Sequence, residues 1–150
     1  MIRSCAGFTS VDITNILNNM NSDSPQIGRH VVADFSGVCE DKLRDDGRIM
    51  GVLRGALDRA GFRRLEETVH RFSSGGAGFT AVVLLAESHA SVHTYPERGY
   101  MALDVFGCGP TDPIPVVEAL KRELHPQLVD VQEITRGAGQ RDPAPTRAGG

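Results

Sequence analysis

No window of the sequence comes near the ~18 uninterrupted apolar residues that a membrane-spanning helix needs, so no membrane partner is expected. Met1–Ser10 lacks the charged segment followed by an apolar run that marks an export signal. Basic residues are also short: 16 Lys and Arg stand against 19 Asp and Glu, a formal charge of −3. A nucleic-acid partner, which wants a basic face, is therefore not expected. Cysteine is sparse, and Cys5, Cys39 and Cys108 cannot all pair. Their wide spacing suits no metal site, and a reducing cytoplasm is the compartment they fit. There is no Gly-x-x-x-x-Gly-Lys-Ser/Thr to cradle phosphates and no Gly-x-Ser-x-Gly elbow around Ser88. Internal repeats and heptads are missing too. Gly76-Ala77-Gly78-Phe79-Thr80-Ala81 approximates a dinucleotide fingerprint, but an apolar strand follows where a helix should begin. It reads as a glycine-rich loop.

What is present suits one globular domain: 150 residues, 40% apolar and 23% charged, enough chain to bury a core. The ends differ from the middle. Residues 1–28 form an N-terminal extension rich in Asn and Ser, with a short helix expected over Val11–Met20 capped by Ser10. Residues 137–150 hold glycine and proline but no large apolar side chain, and they are expected to be mobile. The working domain is placed at 29–136.

Within it the hydrophobic period alternates. Val31, Ala33 and Phe35 mark a strand. Ile49, Leu53, Ala56, Leu57 and Ala60 form a helical stripe that Gly61 ends. Leu65–Phe72 reads as a charged strand, and Ser73–Gly78 as a flexible loop. Thr80–Ala86, with Val82, Val83, Leu84 and Leu85 in a row, is expected to be a strand buried on both faces. His89–Thr94 and Tyr100–Phe106 are further strands, separated by a turn at Pro96-Glu97-Arg98-Gly99. Asp112-Pro113 opens a helix with the stripe Val117, Leu120 and Leu124, and Gln127–Ile134 closes as a strand. The order β-α-β-β-β-β-α-β predicts an α+β fold, a sheet with helices on one face.

One segment concentrates chemistry. Ala86–Glu97 carries Glu87, Ser88, His89, Ser91, His93, Thr94 and Glu97 directly after the most apolar strand. The plain explanation is the polar face of a half-buried strand, since His89, Ser91 and His93 share parity. A metal site is not expected: the four-residue spacing of His89 and His93 suits ligands on a helix, and the stretch reads as a strand.

Taken with Gly28-Arg29-His30, His70-Arg71-Phe72, Gly99-Tyr100, Asp104-Val105-Phe106-Gly107-Cys108-Gly109 and Arg136-Gly137, this segment resembles the small prokaryotic S-adenosylmethionine decarboxylase proenzymes. The resemblance spans about residues 28–137. It implies a two-layer α+β sandwich, a four-stranded antiparallel sheet with two helices on one face. It implies cleavage between Glu87 and Ser88 into chains 1–87 and 88–150. The Ser88 hydroxyl attacks the Glu87 carbonyl, the amide becomes an ester, and elimination leaves a dehydroalanine that hydrolyses to a pyruvoyl group. That group, the only cofactor implied, takes the substrate α-amine as a Schiff base and draws electrons as carbon dioxide leaves.

The physics of each step asks for helpers. A serine hydroxyl needs a base and an oxyanion donor to attack an amide. His93 occupies the position of the processing histidine, and an imidazole moves protons near neutral pH. Thr80 stands where the family has a processing serine and retains a hydroxyl. Strand parity, however, sets Ser88 and His93 on opposite faces. Cys108 matches the proton donor of the decarboxylation, a task open to a thiol, although alone it reads as a cysteine packed in a turn. Glu97 matches a carboxylate that contacts substrate, and Phe72 an aromatic that stacks on adenine across a homodimer of cleaved protomers. Alone, these two read as a solvated turn residue and a core phenylalanine.

The chain departs from the family pattern around the substrate. Its Phe72–Ala81 loop is about two residues longer than usual, Tyr95 replaces a Trp or Phe, and Gly107 replaces a Thr. S-adenosylmethionine, feeding spermidine synthesis, is the expected substrate. L-arginine or L-ornithine decarboxylation by the same chemistry is the runner-up, and an uncut binding or regulatory protein the alternative of another class.

Overall fold

A computed structural model describes residues 27–74 and 76–138. The expected helix over Val11–Met20 and nearly all of the tail lie outside the described residues. The elements run β1 (Gly28–Ser36), α1 (Glu40–Arg44), α2 (Asp46–Arg59), β2 (Arg64–Arg71), β3 (Phe79–Leu85), β4 (Ser88–Tyr95), a 3-10 turn (Pro96–Arg98), β5 (Tyr100–Cys108), α3 (Ile114–Leu124) and β6 (Leu128–Arg136).

Local chemistry accounts for the helices. The Asp45 carboxylate accepts from the Arg48 amide at 2.9 Å and starts α2, which presents Ile49, Met50, Leu53, Ala56 and Leu57 inward. The chain leaves α2 through Gly61 at φ +86°, a conformation that glycine adopts without a Cβ clash. Just before α3, which starts through Pro113, the Asp112 carboxylate accepts from the Ile114 amide at 3.0 Å. The Lys42 ammonium of α1 donates to the carbonyls of Glu123 and Leu124, both at 3.1 Å, where the C-terminal end of α3 favours a cation.

All strand pairs are antiparallel, in the order β2-β3-β4-β5-β1-β6. The helices cover one face. There Val31, Phe35, Phe79, Val83, Leu85, Val92, Leu103 and Val105 meet Leu53, Leu57, Val116 and Leu120, all buried. Each large apolar side chain so enclosed contributes roughly 1.5–3 kcal/mol.

Three expectations need correction. The sheet has six strands rather than four. The edge strands β2 and β6 add few core residues, and Val69 and Val129 only partly pack against the interior. Secondly, α1 is a third, short helix; its only buried residue is Leu43. Thirdly, β3 is buried on one face. Val83 and Leu85 are 0% and 1% exposed, whereas Val82 and Leu84 are 45% and 48% exposed. The helix layer covers a single side, so alternate residues of the apolar run emerge on the open side.

Candidate active site

The site begins at the hairpin between β3 and β4. Leu85 pairs with Ser88, and Ala86-Glu87 form the two-residue turn. Such turns favour Gly, Asn or Asp where φ is positive. Here Glu87 has φ +60°. A non-glycine residue in that region carries roughly 1–2 kcal/mol of strain, placed immediately before the Glu87–Ser88 bond.

Next to it lies Cys108. The β4–β5 register runs His89 to Phe106, so two steps further brings Cys108, the end of β5, alongside Glu87. The Cys108 thiol donates to the Glu87 carbonyl oxygen at 2.6 Å. The Ser88 hydroxyl donates to the Ala86 carbonyl at 3.5 Å. Gly107 is buried here, and a Cβ on it would stand 2.7 Å from the Thr111 carbonyl oxygen, so the backbone approach excludes a threonine.

A second group sits further along the sheet. Thr80 and His93 are register partners, and Thr80 Oγ1 lies 2.9 Å from His93 Nδ1. Beside them a cavity of about 300 Å3 is lined by Phe72, Thr80, Tyr95, Glu97 and Arg98. The Phe72 ring meets His70 edge-on at 4.9 Å, and Phe72 is half-exposed, not a core residue.

The candidate residues thus form two sets: Glu87, Ser88 and Cys108 at one end of β4, and Phe72, Thr80, His93 and Glu97 at the other. Ser88 and His93 are five residues apart on one strand, roughly 16 Å at about 3.3 Å per residue. They also point to opposite faces, as the parity predicts: Ala90, Val92 and Thr94 are buried while His89, Ser91 and His93 are not. One chain does not bring the two sets together.

Between them the open face carries a network that sequence reading did not assign. Ser91 donates to Asp104 at 3.2 Å, and His30 Nε2 lies 3.5 Å from the other Asp104 oxygen. Arg136 Nη1 approaches His30 Nδ1 at 3.1 Å, with its guanidinium 5.6 Å from the centre of the Phe106 ring. The signal was available in strand parity: Tyr100, Asp104, Phe106 and Cys108 are alternate residues of β5 on the same face as His30 and Asp34 of β1.

The Tyr100 hydroxyl donates to Asp34 at 2.5 Å. That hydrogen bond, then burial and the carboxylate charge, push the phenol up from 10.0 to about 12. Because the folded value is the higher one, this contribution to stability is complete below pH 10.0 and fades as pH rises through about 12. Ultraviolet titration is expected to show the Tyr100 phenol ionising near 12, and Asp34→Asn to bring it back toward 10.0. An unchanged titration in that variant would contradict the pairing.

A six-stranded antiparallel sheet with helices on one face makes this an α+β protein, and its β3–β4 turn sets a serine beside a left-handed Glu87 whose carbonyl accepts from a thiol. The model of the S-adenosylmethionine decarboxylase family matches residues 29–137. The chain belongs to that family. It is 38% identical over 114 residues to the S-adenosylmethionine decarboxylase proenzyme of Shouchella clausii, covering 75% of this chain and 87% of that one. The proenzyme of the same name from Brevibacillus brevis is 40% identical over 114 residues, with 75% and 84% covered. The crystal structure of the adenosylmethionine decarboxylase of Aquifex aeolicus superposes with a TM-score of 0.71 at 32% identity, covering 80% of this chain and 98% of that one.

Proposed function

We propose that the chain is a self-processing, pyruvoyl-dependent decarboxylase of S-adenosylmethionine, with Ser88 as the residue that becomes the electrophile. The hydrogen bond from Cys108 to the Glu87 carbonyl carries this reading, since it places an acidic donor on the oxygen that gains charge when Ser88 attacks. Ser88 Oγ bonds to the Glu87 carbonyl carbon, the amide C–N bond breaks, and the nitrogen takes the hydroxyl proton. Loss of the Ser88 α-proton then expels the Glu87 carboxylate. Water releases ammonia from the remaining three-carbon unit and leaves the ketone.

The strained turn, the serine and the thiol fit the making of a pyruvoyl group at residue 88. When formed, that group supplies a ketone that holds the substrate amine and draws electrons from the bond to the departing carboxylate. Cys108 then serves as the proton source for the carbon that has lost carbon dioxide. Phe72 and Glu97 line the cavity offered to the rest of the substrate.

The separation of the two residue sets supports a homodimer. In a two-fold contact, residue i meets j and j meets i. An axis crossing β4 near its midpoint, between Ala90 and Ser91, lays the Glu87–Ser88–Cys108 end of one chain over the Thr80–His93 end of its partner. Val82 and Leu84 on the open face give this contact apolar surface to bury. Each centre then takes its Glu87–Ser88 bond and its thiol from one protomer and its histidine from the other.

Two experiments test these assignments. Matured protein is expected to release carbon dioxide from S-adenosylmethionine in preference to L-arginine and L-ornithine assayed alongside; preference for either amino acid would overturn the substrate. His93→Ala alone is expected to stall as an ester that hydroxylamine cleaves. Co-expressed in equal amounts with Ser88→Ala chains, it is expected to regain cutting, with one of two centres intact in each mixed dimer and so about a quarter of normal activity in the unseparated mixture. No rescue in purified mixed dimers would assign both sets to one chain.

A further inference from the structure

The wall of the Glu97 cavity is held from outside by two residues with no part in cutting the chain. Gly76 has φ +99°, and a Cβ built on it would lie 2.1 Å from Glu97 Oε2 and 2.8 Å from the Glu97 carboxyl carbon. The carboxylate occupies the space that any other residue at 76 would fill. The Gly76 carbonyl accepts from Arg44 Nε at 3.1 Å. Arg44 is itself anchored on α1 through its ion pair with Glu40, one turn away. The chain of contacts runs from a helix, through a glycine backbone, to the carboxylate that lines the cavity. On its other side Glu97 has Arg98, whose Nε is 3.9 Å from Glu97 Oε1.

We infer that Gly76 and Arg44 are positioning residues for Glu97: the arginine pins the glycine backbone against the carboxylate and fixes where it meets the substrate. This rests on the reading of the cavity as the substrate site and adds to it a device for specificity. Three features make it a device rather than incidental packing. Glu97 is a turn residue whose side chain is 39% exposed, so without a wall it would sample several rotamers. The contact is backbone to carboxylate, and a side chain at residue 76 would displace that carboxylate. Finally, Arg44 reaches the Gly76 carbonyl, which leaves the aspect of Glu97 facing the cavity free. A carboxylate held in one orientation selects a substrate presenting paired donors, hydroxyl or cationic, at a fixed distance from the reacting amine.

Gly76→Ala in the full chain is expected to raise KM about tenfold with kcat changed less than twofold, the loss of one hydrogen bond to a charged group. Cutting between Glu87 and Ser88 should proceed at the normal rate, because residue 76 touches none of the cutting residues. Arg44→Met, which leaves residue 76 unstrained, is expected to raise KM about threefold, again without slowing the cut. It keeps the test open if Gly76→Ala does not fold. The decisive comparison is made in a Glu97→Ala background. There each change should have no further effect on KM, since the residue through which it acts is gone. KM increases that persist at full size in that background would overturn the inference while leaving Glu97 in the substrate site. A Glu97→Ala chain with normal KM would overturn both the placement of Glu97 and the inference built on it.

Discussion

Ser88→Ala is expected to yield one uncut 150-residue chain that releases no carbon dioxide from any substrate. Relative magnitudes explain why the loss should be complete. The left-handed backbone at Glu87 raises the ground state by roughly 1–2 kcal/mol, which is about tenfold in rate. That is far too little to break an amide without a nucleophile. The Cys108 thiol polarises the Glu87 carbonyl but supplies no attacking atom in the attack by residue 88. With the hydroxyl absent there is no ester, no elimination and no ketone, while the hairpin keeps its turn and the helix-side core is untouched. Electrophoresis and intact-mass measurement over days of incubation give the answer. A variant that still separates into 1–87 and 88–150 would place the nucleophile elsewhere.

Cys108→Ala is expected to be the second most damaging change, and to act on two steps differently. The thiol donates to the Glu87 carbonyl in the uncut chain, so its removal should slow the cut. It should not abolish it, because Ser88 is intact. Once cut, the protein should lose roughly 100- to 10,000-fold in kcat, the range for removal of a positioned proton donor. Part of its turnover should end in protonation at the wrong carbon, consuming the ketone and inactivating the chain. Single-turnover carbon dioxide release, followed by mass measurement of residues 88–150, separates the two steps. Unchanged turnover would remove Cys108 from the chemistry. An unchanged cutting rate would mean that its hydrogen bond to Glu87 has no consequence.

Much of this architecture was legible in the chain. Strand parity in β4 sorted Ala90 and Val92 from His89, Ser91 and His93, and the stripe of α2 named most of the core face of that helix. The edge strands β2 and β6 were found by pattern at nearly their final bounds, although family resemblance alone implied a smaller sheet. Periodicity failed at β3, where Val82 to Leu85 are all apolar and give no sign that one face is uncovered. The helix layer covers one side only, so half of that run, Val82 and Leu84, stands in solvent.

The candidate site was legible in part. Ser88, Cys108, His93 and Thr80 could be named from motif positions, and the pairing of Thr80 with His93 follows from the hairpin register. The division into two sets could not be read from a motif, because sequence proximity suggests a single cluster. Only the straight length of β4 shows that five residues put Ser88 beyond reach of His93. The contacts of Gly76 with Glu97 and of Arg44 with Gly76 were equally hidden, since Arg44 is 32 residues from Gly76 along the chain.

A self-made ketone is most directly detected at the N-terminus of the smaller fragment. Purified protein is separated into its chains and the piece ending at Gly150 is weighed and sequenced. A fragment that begins at residue 88, resists stepwise degradation, and is lighter by one ammonia than the same fragment starting with serine is the expected result. An unblocked serine at that end, or a full-length chain with no smaller piece in a preparation that releases carbon dioxide, would contradict it.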